Sequence, residues 1–193
     1  MSLLNAAKLV EISTSVLDKF KLTEKKRWDR KAVVLELIGE IGELAHYVQY
    51  WDGYKKGKNG IKKYKLCDEC SDVLFIIIRL AIEDRINLPD EIEIPGGGSG
   101  RGADYILEMS KLFSNLVDES NGNSSQIITK MLELLGSLAL ALDIDLSAAH
   151  KIEMDIADGY FRAAGEGWPK PNLFKHPIET YRLKKLVKRR EAQ

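Results

Sequence analysis

Five acids in this chain recur at helical spacing. Glu36, Glu40 and Glu43 stand four and three residues apart, and Glu69 and Asp72 repeat the three-residue interval one predicted helix later. Residues at those offsets share one face of a helix. At about 100° per residue, Val33, Val34, Leu37, Ile38, Ile41, Leu44, Ala45 and Val48 fill one apolar arc, and the three glutamates lie along its border. On the next helix Leu66, Cys70, Val73, Leu74, Ile76, Ile77, Leu80 and Ala81 form a broad apolar face. Glu69 falls inside that face and Asp72 beside it. A carboxylate in such a place must be paired, protonated or bound to a cation. Several carboxylates facing one another across two helices repel, and a divalent cation is the natural counter-charge. Oxygen donors without sulfur and with little imidazole favour Mg2+, with Mn2+ as a substitute. The alternative is surface acids paired with lysines, which describes single glutamates better than two matched pairs on apolar faces.

The elements that must hold these acids read as helices almost throughout. An amphipathic segment runs from about Leu3 to Phe20, and a second starts at the N-cap candidate Asp29 and reaches about Trp51. Asp52 to Lys63, with Gly53, Gly57, Asn59 and Gly60, has loop chemistry. A third helix covers about Tyr64 to Asp84, so residues 28–84 form the metal-binding helix pair. Residues 88–102, rich in glycine, read as a flexible connection. Additional bundle helices fill 103–164, at about 103–119, 125–142 and 146–164. Gly165 to Pro171 is a turn-rich stop, and 176–193 is a basic tail. No period-2 strand is evident: Ile92-Glu93-Ile94 alternates, but it is short and Pro95 follows it. The expected fold is a single all-α domain, a helical bundle.

Composition narrows the classes. The 193 residues hold 29 basic and 29 acidic side chains, so no whole-chain field recruits nucleic acid. The longest apolar run, Val73 to Ile78, is far below the roughly 18 to 20 residues of a membrane span. The first residues lack the pattern of a secretory signal, and two cysteines are too few for a disulfide framework. The expected compartment is the cytoplasm, with no membrane partner.

Leu35-Glu-Leu-Ile-Gly-Glu-Ile-Gly-Glu-Leu44 followed by Cys67-Asp-Glu-Cys-Ser-Asp-Val-Leu-Phe75 resembles the all-α nucleoside triphosphate pyrophosphohydrolases, a superfamily that includes MazG-like proteins and the dimeric dUTPases. Its signature is Glu-x-x-Glu on one helix and Glu-x-x-Asp on the next, and Val48-Gln-Tyr-Trp51 is similar to the aromatic end of the first of these in dimeric dUTPases. The resemblance is strongest over residues 30–82. It implies a four-helix core completed by a homodimer or a dimer of dimers. It also implies Mg2+-dependent cleavage of a nucleoside triphosphate between the α and β phosphates, giving a monophosphate and pyrophosphate, in a role of nucleotide-pool cleaning. A dedicated dUTPase is the alternative within the class. Glu40, Glu43, Glu69 and Asp72 are then the ligands, with Glu40 central to catalysis. Glu36 serves an additional metal or orients the attacking water. A later motif of lysine, asparagine and arginine in the family has its nearest counterpart in Lys151, Asp155 and Arg162, with Asp155 where asparagine is usual and Asp158 where the nearer arginine would stand.

Substrate phosphates need protein cations. Lys55, Lys56, Lys58, Lys62 and Lys63 in the loop between the acidic helices are candidates, with Lys58 at its centre, as are Lys151 and Arg162. Trp51 and Tyr54 offer rings for a base. Cys67 and Cys70 fall on the apolar side of their helix and read as core packing. Glu43-x-x-His46 is half of a di-iron carboxylate pattern, but no second Glu-x-x-His exists. A non-catalytic helical interaction module, using the basic tail, is the reading from another class; such a module has no need of acids set into two apolar faces.

Overall fold

The computed structural model describes residues 2–56, 62–96, 100–117, 123–164 and 177–191; Thr23, Tyr160, residues 162–164, residues 177–180 and Glu191 are described in backbone only. In chain order the elements are β1 (Ser2–Asn5), α1 (Ala6–Thr23), α2 (Arg30–Trp51), α3 (Lys63–Glu83), β2 (Glu91–Ile94), α4 (Gly102–Lys111), α5 (Phe113–Val117), α6 (Ser124–Ala141), α7 (Leu146–Ala164) and α8 (Pro177–Glu191). The fold is all-α apart from one two-stranded sheet. No helix among the described residues is long and apolar enough to cross a membrane.

Helix α3 is the axis of the molecule. From Leu66 to Ala81 nearly every residue is buried, Asp72 being the half-exposed exception. A helix buried almost all round must be covered on several sides, and α3 packs against α1, α2, α6, α7 and α8. Helix α2 starts where Asp29 accepts a hydrogen bond from the Ala32 amide at 2.9 Å, satisfying one of the open amides of the first turn. It ends at Trp51, and Gly53, with a φ of 81°, turns the chain two residues later. Its inward stripe is Val33, Val34, Leu37, Ile41, Leu44 and Val48. Ile38, which the periodicity puts in that arc, is 42% exposed instead. Asp52, just past α2, accepts from the amides of Gly102 and Ala103 (3.1 and 2.8 Å), so the end of α2 caps the start of α4.

The strands correct the sequence reading. β1 pairs antiparallel with β2, Leu4 opposite Ile92 and Ser2 opposite Ile94. Three inward residues, Leu4, Ile92 and Ile94, suffice because the sheet lies on α6, where Gly136 leaves room for Ile94. The expected connection at 88–102 therefore contains a strand, and the first helix begins at Ala6, capped by Asn5 accepting from the Lys8 amide at 2.8 Å, not at Leu3. The expected 103–119 helix is divided at Leu112 into α4 and α5. The predicted stop at Gly165 to Pro171 lies outside the described residues.

Candidate metal centre and adjoining cavity

Packing α2 along α3 brings Glu40, Glu43 and Glu69 together: one carboxylate oxygen of each lies within 4.8 Å of the others. Glu43 is exposed, Glu40 half-buried, and Glu69 only 5% exposed. The Glu69 Oε2 atom is buried and has no hydrogen-bond partner among the described residues. Burial is the main reason its carboxyl is pushed up to about 7; Asp68, Glu43 and Glu40 push the same way, and Lys65 opposes them. A buried acceptor oxygen with three acids around it and one half-buried lysine nearby is a poor resting place for a charge. It is a good one for a small divalent cation that would satisfy the orphaned oxygen and the repulsion at once. Three carboxylates and no thiolate or imidazole fit Mg2+ or Mn2+. Asp72 is not in this triad. It lies on the wall of an adjoining cavity, together with Glu36 and Glu40.

That cavity has a volume of about 860 Å3, within the usual size of small-molecule sites. Phe20, Trp28, Phe75 and Ile76 give it an apolar wall. The Phe20 and Phe75 rings lie 5.5 Å apart, and Phe161 meets Phe20 edge-on at 5.1 Å. The Arg79 guanidinium, 4.4 Å from the Trp28 ring centre, covers one part of the indole. Arg79 is 3% exposed and is held by Glu24 (2.6 Å) and Glu83 (3.1 Å), while Glu24 also accepts from the Trp28 amide at 3.3 Å. This buried charge is therefore paired on two sides, as its burial requires. It fixes the short connection between α1 and α2 against α3. Lys25, Lys26 and Arg27 of that connection are exposed and also line the cavity.

The other residues singled out in the sequence lie elsewhere or are bound to neighbours. Trp51 is 43% exposed and does not line the cavity. The Tyr54 hydroxyl accepts from Arg101 at 2.9 Å. Lys55 lies 3.3 Å from His46 Nδ1, Lys56 and Lys62 are exposed, and Lys63 pairs with Asp143 at 2.6 Å. Lys58 lies outside the described residues, as does the Arg162 side chain. Lys151 holds Asp155 at 2.8 Å, and Asp155 lines a separate cavity with Glu11 and Asp158. Asp158 in turn accepts from Lys19. Cys67 and Cys70 are free thiols in the core. His150 is fully buried between Ser13 Oγ (2.8 Å from Nε2) and Ser71 Oγ (3.1 Å from Nδ1) and joins α1, α3 and α7. Its burial lowers its pKa to about 4, so it is neutral, one nitrogen donating and the other accepting.

Sequence reasoning missed Phe20, the Lys25–Trp28 connection, Phe75, Asp68 and Arg79. Two signals were available. Arg79 interrupts an apolar run, where a charge implies a partner. Three consecutive cations before a tryptophan sit in a short helix-to-helix connection, the kind of segment that carries binding residues.

The family model described as dUTPase matches residues 6–154, from the first residue of α1 into α7. No curated protein and no solved structure matches the chain.

Proposed function

This chain belongs to the dUTPase family, all-α enzymes of the MazG-like superfamily that act on nucleoside triphosphates, and from that premise we propose that it is a Mg2+-dependent pyrophosphohydrolase releasing a nucleoside monophosphate and pyrophosphate. The carrying observation is the convergence of Glu40, Glu43 and Glu69 around a buried, unsatisfied oxygen of Glu69. Family members generally use a divalent metal. Glu40, Glu43 and Glu69 would hold it, with Asp72 as a further ligand from the cavity wall. When bound, the metal supplies charge neutralisation at the phosphoryl oxygens and a lower pKa for water.

The chain's own groups do the rest. Glu36, exposed on the cavity wall beside Glu40, accepts the proton of the attacking water as an oxygen–phosphorus bond forms and the α–β bridge breaks, with pyrophosphate leaving. Phe20, Trp28, Phe75 and Ile76 take the nucleoside, because a base stacked on an indole and screened by phenyl rings leaves water without burying an unpaired charge. Leu35 and Ile38, one turn apart on α2 and 68% and 42% exposed, are the patch on which a second copy would pack. Light scattering should then give twice the chain's mass.

The deciding experiment is a panel of ribo- and deoxyribonucleoside triphosphates with Mg2+, scored separately for pyrophosphate and orthophosphate. Pyrophosphate release that vanishes in Glu40→Gln and Glu69→Gln is expected. Turnover of deoxyuridine triphosphate alone would narrow the reading to a dedicated dUTPase. Orthophosphate as the first product, or full turnover in both variants, would reject it.

A further inference from the structure

We infer that Lys25, Lys26 and Arg27, in the connection between α1 and α2, are the cations that bind the substrate's polyphosphate tail, a role the sequence pattern gives to Lys151. This inference rests on the pyrophosphohydrolase reading. A nucleoside triphosphate brings three to four negative charges. The wall it must approach already carries Glu36, Glu40 and Asp72, next to Glu43 and Glu69. One divalent cation does not balance even the substrate's own charge, so the chain must supply more positive charge at the same cavity.

The candidates can be sorted by what they already hold. Lys151 is spent on Asp155, which faces a different cavity, and Lys19 on Asp158. Lys63 is engaged by Asp143, and Arg79 by Glu24 and Glu83. Lys25, Lys26 and Arg27 line the same cavity as Glu36, Glu40 and Asp72, are exposed, and form no ion pair among the described residues. Their backbone is held close to α3 by the contacts of the Glu24 carboxylate with Arg79 and with the Trp28 amide, so three flexible cationic side chains hang from a fixed strap. Such a strap can follow a phosphate chain without a preset geometry. Asp155 and Asp158 on α7 are themselves acids, one held by Lys151 and the other by Lys19, and neither offers positive charge to a phosphate. The strap supplies that charge from another element.

The test replaces all three residues, Lys25→Ser with Lys26→Ser and Arg27→Ser, and compares this variant with a charge-matched control on α8 (Lys184→Ser, Lys185→Ser, Lys188→Ser). The probes are inorganic tripolyphosphate with Mg2+, bound by calorimetry, a nucleoside monophosphate as competitive inhibitor, and nucleoside triphosphate turnover. At roughly twofold per exposed charge, tripolyphosphate affinity should fall about tenfold and KM rise about tenfold, with kcat within about twofold. The salt dependence of KM should flatten, while monophosphate inhibition and the control stay as in wild type. The charge-keeping variant Lys25→Arg, Lys26→Arg, Arg27→Lys should restore affinity. Unchanged tripolyphosphate binding in the serine variant, or an equal loss in the α8 control, overturns the inference. So does a comparable loss from Lys151→Ser alone. A wild-type protein that binds tripolyphosphate through the strap yet turns over no nucleotide would sink the enzymatic reading and leave the strap as a polyphosphate site.

Discussion

Replacing Glu69 by glutamine should make the metal-free protein more stable and the metal-loaded protein useless. Folding holds the Glu69 carboxyl at about 7 against an ordinary value of 4.5, a difference worth about 3 kcal/mol. The sign follows from proton counting. Below pH 4.5 both the folded and the unfolded chain hold the proton, and nothing is lost. As pH rises, the unfolded chain releases it first, so stability falls until the folded carboxyl has also ionised above pH 7. Glutamine removes that loss but leaves a buried amide short of partners, at about 1 kcal/mol. A net gain of about 2 kcal/mol at pH 8 should raise Tm by roughly 4 to 8 °C for a chain of this size. At pH 4 the gain should vanish. Magnesium reverses the order: at a hundredfold excess over Kd it stabilises wild type by about 2.7 kcal/mol, and the variant, with the buried donor gone, should gain almost nothing. Thermal denaturation at pH 4 and pH 8, each with chelator and with Mg2+, contains the whole test. A variant less stable than wild type at pH 8 in chelator, or one that gains as much from Mg2+, would show that Glu69 is an ordinary buried acid with partners.

Three further outcomes are expected. His150, held near pKa 4 against 6.5, makes stability fall by up to about 3 kcal/mol as pH drops from 6.5 to 4, and His150→Gln should flatten that limb in chemical denaturation; Glu69 runs the opposite way over part of this range, so a Glu69→Gln background gives the cleaner curve. Trp28→Ala should raise KM for nucleotides about tenfold through lost base stacking, with tripolyphosphate binding held within about twofold and Trp28→Phe recovering most of the loss. Gly136→Ala should lower stability by about 1 to 3 kcal/mol, because an added Cβ would stand 2.5 Å from Ile94 Cδ1 and 3.0 Å from its Cγ1; thermal melts should show the drop, and a second change, Ile94→Val, should return part of it.

Helix periodicity exposed the all-α architecture because the buried positions of α2, from Val33 to Val48, repeat every three to four residues over about four turns, and α3 carries a long apolar run of the same kind of residues. The strands escaped because four residues carry at most two inward positions, Ile92 and Ile94 in one and Leu4 alone in the other. Their stability comes from α6, which lies far along the chain. Spacing along one helix says which acids share a face. It does not say which of them a neighbouring helix will approach, and so Asp72 lies on the cavity wall while Glu43 joins Glu40 and Glu69. The cavity was the least legible part. It is built from the end of α1, the six-residue connection Glu24 to Asp29, the first half of α2 and one face of α3, segments that no local pattern links.

The charges sit on the least forgiving element of the fold. α3 is buried along almost its whole length, so a ligand displaced by an ångström cannot relax into solvent, and each ionised acid weakens the helix that carries it. Three polar contacts offset this by fixing α3 at separated points. Lys63 reaches Asp143 at its start, Ser71 meets His150 between Glu69 and Asp72, and Arg79 grips Glu24 and Glu83 near its end. These contacts lead to the residue before Ile144, to α7 and to the α1–α2 connection, so the helix is held from three directions. Ligand geometry that depends on side chains is only as accurate as the backbone beneath it. Mg2+ affinity, read by calorimetry, should therefore fall in His150→Gln and in Arg79→Gln as well as in the ligand variants, although neither side chain belongs to the acidic triad.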